Sequence, residues 1–227
     1  MEKNIPNHLG VIIDGNRRWA RERGLPTLEG HKKGLSTLRS LMKWVKERGI
    51  KTLTVFVFSI ENWNRSKKEV SYLMSLLKGA FKDDEKLTGV KGVKIRMAGE
   101  REMIPEDILE IIEKVENDTK DNKEMTINFA FSYGGRKEII HSIKQIINKK
   151  IPEDQITEKV VCDNLYVTED VDLVIRTGKE KRLSGFLTWQ SPYSEFYFLD
   201  KYWPDFNEND LDNILLDYSN RQRRFGK

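Results

Sequence analysis

The chain has 227 residues, enough for one generous domain or two small ones, and its 40 Lys and Arg against 36 Asp and Glu leave a net charge of only +4. That balance gives no nucleic-acid footprint, and a lone cysteine, Cys162, excludes an internal disulfide framework or a Cys-based zinc site. No run approaches the ~20 apolar residues of a membrane span and Met1 to Ile5 is not an apolar signal segment, so the expectation is a cytoplasmic protein that meets any lipid peripherally, at the membrane's water side. No Gly-, Ser- or Pro-rich linker interrupts the sequence, which predicts a single domain over 1–227.

The first element is the apolar run His8 to Ile13, ended by Asp14 and a glycine turn. A helix follows over Leu28 to Arg48, with Leu35, Leu38, Leu41, Met42 and Val45 on one side and Gly49 as its stop. Thr52 to Ser59, TLTVFVFS, has the β-branched and aromatic content of a strand buried on both faces. Helical spacing resumes over Lys67 to Lys86. A strand over Val93 to Ala98, a proline-initiated helix over Pro105 to Thr119, a strand over Met125 to Ser132 and a helix opened by Gly134-Gly135-Arg136 come next. Val171 to Thr177 and Phe196 to Leu199 are the last strands, and Glu208 to Arg221 the last helix. Strands alternating with helices predict an α/β fold: a central, mostly parallel sheet with helices on both faces.

Parallel strands bring their carboxyl ends to one rim, where ligands of open α/β sheets bind. The first, second and fifth strands end in polar clusters, Asp14 to Trp19, Ser59 to Arg65 and Arg176 to Ser184, and these are expected to converge. Gly15 permits close backbone approach, arginines offer forked donors, and Asp14 can hold a divalent cation against phosphate oxygens. The excess of arginine over carboxylate points to a polyanionic ligand, and two arginine groups point to two phosphate-bearing molecules. Alternatively, Arg176 and Arg182 merely pair with surface acids such as Asp172 and Glu180.

HLGVIIDGNRRWA, EGHKKG, FSIENWNRS, FSYGGRKEI, VDLVIRTGKEKRLSGFLTWQ, SEFYFLDKYWPDF and RQRRFG occur in that order from His8 to Gly226. Together they resemble the cis-prenyltransferases, the undecaprenyl diphosphate synthase family. The resemblance implies a non-Rossmann fold with a six-stranded sheet, a homodimer, Mg2+, and repeated addition of isopentenyl diphosphate to an allylic prenyl diphosphate, with the product released to a membrane. It implies that Asp14 binds metal and diphosphate, that Gly15, Asn16, Arg17, Arg18 and Trp19 form the starter-diphosphate loop, and that His31 belongs to the same site. Ser59, Ile60, Glu61, Asn62, Trp63 and Arg65 match a segment that closes over the reacting ends, with Glu69 a charged position just after it. Arg176, Arg182, Leu183 and Ser184 match the isopentenyl diphosphate grip, Glu195 a second carboxylate associated with metal and dimer partner, and Arg224-Phe225-Gly226 a signature reaching the neighbouring subunit.

Among the residues implied to be catalytic, Asp14 and Asn62, the second is a neutral amide with no group that titrates near neutrality, so its chemistry allows orientation of a substrate or diphosphate oxygen. The sequence departs from the family pattern at Arg17, Thr27, Lys179 and Lys181, which bears on starter preference. The apolar product requires a greasy tunnel, for which Val55, Val57, Phe58, Leu73, Leu76 and Leu77 are the candidates. A Mg2+-dependent phosphohydrolase and a non-catalytic subunit of a prenyltransferase complex are the alternative functions.

Overall fold

The computed structural model describes residues 4–81 and 90–221. Six strands form one sheet: β1 (His8–Ile12), β2 (Thr52–Ser59), β3 (Val93–Ala98), β4 (Met125–Tyr133), β5 (Leu173–Arg176) and β6 (Glu195–Phe198). Their order is β3-β4-β2-β1-β5-β6, which differs from the doubly wound dinucleotide-binding order, and every pairing is parallel. The expected mostly parallel sheet is therefore parallel throughout its described strands.

The helices are α1 (Asn16–Glu22), α2 (Thr27–Glu47), α3 (Lys67–Phe81), α4 (Glu106–Thr119), α5 (Gly135–Asn148), α6 (Glu158–Cys162) and α7 (Glu208–Asn220). The tail of the helix expected to reach Lys86 lies outside the described residues. The predicted elements stand within a few residues of the observed ones, whereas the short helices α1 and α6 had no apolar period long enough to announce them. No helix among the described residues is long and apolar enough to cross a membrane.

One face of the sheet presents Leu9, Val11, Leu53, Val55, Ile127 and Ile175 to an apolar layer that includes Leu38, Leu41 and Met42 of α2 and Leu211 and Ile214 of α7. Phe58 and Phe131 join Met74 of α3 and Ile108 and Ile112 of α4 in a neighbouring cluster. Burial of such stripes, at about 25 cal/mol per Å2, is the main drive for this layering. The other face carries a polar row. Fully buried His8 meets the Asp170 carbonyl through Nδ1 at 3.0 Å and Thr54 Oγ1 through Nε2 at 2.7 Å, and Asn128 Nδ2 donates to the same Thr54 oxygen at 3.1 Å. A carbonyl can only accept, so Nδ1 carries the proton and the Thr54 hydroxyl donates to Nε2.

Burial lowers the His8 pKa from its ordinary 6.5 despite the nearby Glu169 and Asp172. The folded chain therefore binds fewer protons at this site than the unfolded chain as pH falls through 6.5, and stability is lost in that window. Urea denaturation should show stability declining below about pH 6.5 by up to ~1.4 kcal/mol per pH unit from this group, with a shallower decline in His8→Gln.

Candidate active site

β2, β1 and β5 are adjacent in the sheet, so the three polar clusters at their carboxyl ends meet on one rim. Asp14 sits two residues beyond β1. Its backbone carbonyl accepts from Trp203 N–H at 3.0 Å and from the Thr177 hydroxyl at 2.8 Å, which fixes the turn. Gly15 then takes φ 105°, and a Cβ there would stand 2.6 Å from Tyr202 Cδ1, so glycine is required by both backbone and space.

The Asp14 carboxylate is held by two guanidiniums. Oδ2 lies 3.0 Å from Arg176 Nη2 and 3.1 Å from Arg18 Nη2. Arg176, only 4% exposed, also donates to Ser184 Oγ at 3.0 Å and to the Arg182 carbonyl. Arg18 continues to Glu180 Oε1 at 3.0 Å, and Glu180 Oε2 meets Arg182 Nη1 at 2.6 Å. The sequence alternative is thus split: Arg182 does pair with Glu180, but Arg176 turns inward to Asp14.

A second charged group closes the opposite side of the rim. Glu69, at the start of α3, pairs with Arg65 at 3.0 Å and Arg17 at 3.7 Å, and the buried His31 Nε2 stands 3.4 Å from it without a hydrogen bond. Burial first, then the Arg65 charge, lowers the His31 pKa, so its ring stays neutral at pH 7. Burial also lowers the Arg65 pKa, against the pull of Glu69. Asn62 ends a small circuit of its own. Its Oδ1 accepts the Ser59 N–H at 3.2 Å, which turns its amide NH2 away from that bond.

Beneath the rim lies a cavity of about 590 Å3, within the usual range for small-molecule sites. Asp14, Asn16, His31, Ser59, Glu61, Asn62, Arg65, Arg176 and Ser184 line its mouth, and its walls are apolar, with Leu35, Phe56, Val57, Phe58, Leu73, Leu76 and Leu77 among them. Val55, two residues back along β2, is instead fully buried in the core. Leu35 and Phe56 are lining residues that sequence reasoning missed; the register of α2 and of β2 was the signal.

Other expected site residues sit apart from the cavity. The Trp19 indole donates to Asp205 Oδ1 at 2.7 Å and so ties α1 to the turn at 203–205. Trp63 Nε1 donates to Ser132 Oγ at 3.0 Å and its ring packs on Phe58, while Ile60 abuts Gly134. Leu183 packs against the cluster containing Phe186 and Leu187. Glu195 also stands away from the cavity. It pairs with Leu173 at the start of β6, three residues before Phe198, the partner of Arg176. At ~3.3 Å per residue along a parallel strand, this puts it roughly 15 Å or more down the sheet from Asp14. The two carboxylates of one chain therefore cannot ligate one ion, and Glu195 instead pairs with Arg221 Nη1. Among the described residues no three His, Cys, Asp or Glu side chains form a metal-binding group. The Arg224-Phe225-Gly226 signature lies outside the described residues.

The motifs on this rim find their counterpart in a family model described as "Putative undecaprenyl diphosphate synthase", which matches residues 12–226. The chain belongs to this prenyltransferase family. An isoprenyl transferase of Fusobacterium nucleatum is 45% identical over 100% of this chain and 98% of its own length, and one of Thermotoga maritima is 44% identical over 98% and 97%. Among solved structures, lavandulyl diphosphate synthase from Lavandula x intermedia in complex with dimethylallyl diphosphate superposes with a TM-score of 0.92 at 34% identity, covering 98% of this chain and 99% of that one. A probable undecaprenyl diphosphate synthase from Campylobacter jejuni gives 0.84 at 34% identity over 99% and 100%. The protein is thus a prenyl-transferring enzyme, and the family is Mg2+-dependent.

The turn that carries Asp14 and Asn16 is seated on α2 through two glycines. A Cβ on Gly30 would stand 2.0 Å from the Asn16 carbonyl oxygen, and one on Gly34 would stand 2.3 Å from Asn16 Oδ1. Gly30→Ala should cost about 2–3 kcal/mol in urea denaturation and loosen the loop, because a backbone atom cannot yield cheaply. Gly79→Ala, in open space on α3, should instead stabilise by about 0.5–1 kcal/mol.

Proposed function

We propose that the protein is a cis-prenyltransferase that condenses isopentenyl diphosphate repeatedly with an allylic diphosphate starter, farnesyl or geranylgeranyl diphosphate. The product is a long-chain polycis-polyprenyl diphosphate such as undecaprenyl diphosphate, precursor of a glycosyl carrier lipid. The observation that carries this reading is the two-part cavity, with charged groups at its mouth and aliphatic and aromatic walls below. An ionic head and a growing hydrocarbon tail need those two environments in that order.

In this reading Arg18 and Asp14 attend the allylic diphosphate, while Arg176, Arg182 and Ser184 hold isopentenyl diphosphate beside it. Carbon–oxygen cleavage at the allylic substrate leaves negative charge on the departing diphosphate and positive charge on the allylic carbon, which the double bond of isopentenyl diphosphate attacks. Guanidiniums already fixed by the Asp14 and Glu180 pairs stabilise that negative charge without reorganising. Holding the two substrates in line supplies the rest. A proton then leaves the condensed intermediate. With Oδ1 tied to the Ser59 N–H, Asn62 offers the cavity a donor, which suits orientation of a diphosphate oxygen that takes up the proton.

The donor set fits Mg2+. Asp14 Oδ2 faces the two arginines, leaving Oδ1 without a hydrogen-bond partner among the described residues, and one carboxylate oxygen plus phosphate oxygens and water is a common Mg2+ environment. When bound, the ion supplies charge neutralisation to the leaving diphosphate. Glu195 is too far from Asp14 within the chain to share it; any role for Glu195 in metal binding requires a second subunit. A homodimer belongs to the same reading, supported by the exposed row Ile140, Ile143 and Ile147 on α5. So does a cytoplasmic location, with product passed to a membrane from the water side.

Incubation with labelled isopentenyl diphosphate, Mg2+ and farnesyl or geranylgeranyl diphosphate should give elongated lipid on chromatography; release of inorganic phosphate alone would instead establish a phosphohydrolase. Asp14→Asn should lower kcat on the order of 100-fold or more while the protein stays folded by circular dichroism. Val57→Ala, which widens the apolar wall, should shift the products to longer chains.

A further inference from the structure

Lys179 stands where the rim turns back from β5. It has φ 63°, the left-handed region that a lysine side chain disfavours, whereas its neighbour Gly178 takes φ 94° at no such cost. Residues held in strained backbone cluster at functional sites. A Cβ on Gly178 would stand 2.8 Å from Asp14 Cγ and 2.9 Å from Arg18 Nη2, so the main chain carrying Lys179 lies directly against the head-group machinery.

The ammonium of Lys179 pairs with no carboxylate among the described residues. It rests over the ring of Tyr202, 4.7 Å from the centroid, and the guanidinium carbon of Arg18 lies 5.6 Å from the same centroid. Tyr202 is buried, packs against Gly15, and its hydroxyl donates to Glu22. The ring is thus a fixed platform beneath the Asp14–Gly15 turn on which two cations rest. A cation–π contact at an exposed rim is weak compared with a charge-assisted hydrogen bond to a phosphate oxygen. Lys179 is therefore parked within the rim by a partner that an arriving anion can outcompete.

We propose that Lys179 is a further diphosphate-positioning residue, held beside Arg18 by the Tyr202 ring and transferred from that ring to the allylic head group when the substrate enters. The inference rests on the functional reading above and adds to it a further cation, supplied from the β5 side, for the starter diphosphate. It gives a use for a lysine at a backbone position better suited to glycine: the charge serves binding, at a cost to the fold.

Three measurements test it. Calorimetric titration with inorganic diphosphate in magnesium buffer should give a Kd about tenfold weaker in Lys179→Gly than in the unaltered protein, the scale of one charge-assisted hydrogen bond, and near-parental binding in Lys179→Arg. Steady-state kinetics of Lys179→Gly should show a raised KM for the allylic substrate with kcat within about twofold, while its melting temperature is no lower than the parent's, because glycine relieves the left-handed strain. Tyr202→Phe, which keeps the ring, should bind diphosphate like the parent. Equal diphosphate affinity in the parent and Lys179→Gly, or weaker binding accompanied by a lowered melting temperature and a fallen kcat, overturns the inference alone. Failure of the unaltered protein to bind diphosphate at all overturns the functional reading with it.

Discussion

One carboxylate shared by two guanidiniums organises this molecule. Asp14 from the end of β1 faces Arg176 from the end of β5 and Arg18 from α1, and its main-chain carbonyl is gripped by Thr177 and Trp203. An isolated surface ion pair is worth little, but Arg176 is almost fully buried, so its charge requires a partner in the fold. The same groups carry net positive charge once Asp14 is engaged elsewhere, which makes the structural solution and the anion site one construction.

The surrounding design divides labour between the two faces of the sheet. The face under α2 and α3 is apolar, while the other joins a second apolar cluster, with Ile12, Val174 and Phe186 among its members, to polar contacts such as His8–Thr54–Asn128. Register matters here because it sets which residues of β1, β2 and β5 reach the rim; a slip by one residue would turn every side chain of a strand to the opposite face.

Much of this was legible in the sequence because strand ends and charge clusters are local signals. The alternation of TLTVFVFS and the helical periods predicted the element order, and parallel topology then predicted that Asp14, Arg176 and Asn62 would share a rim. What depended on three-dimensional direction was not legible. Trp19 and Trp63 belong to motifs resembling substrate loops, yet their indole N–H groups are spent on Asp205 and Ser132. Glu195 resembles a metal-associated carboxylate, but only the register of β6 reveals that it lies toward the far end of the strands. Val55 and Val57 have the same residue type and the same facing parity; their depth along β2 separates core from cavity wall. The Lys179–Tyr202 contact joins residues with no periodic relation at all.

Asp14 and Arg176 are 162 positions apart in the chain, and no shorter segment contains both. A denatured polypeptide accordingly holds no receptor for a charged head, so occupancy of the rim draws the population toward the native state by mass action. Under the proposed function, a bound substrate head group would therefore raise the stability of the folded chain.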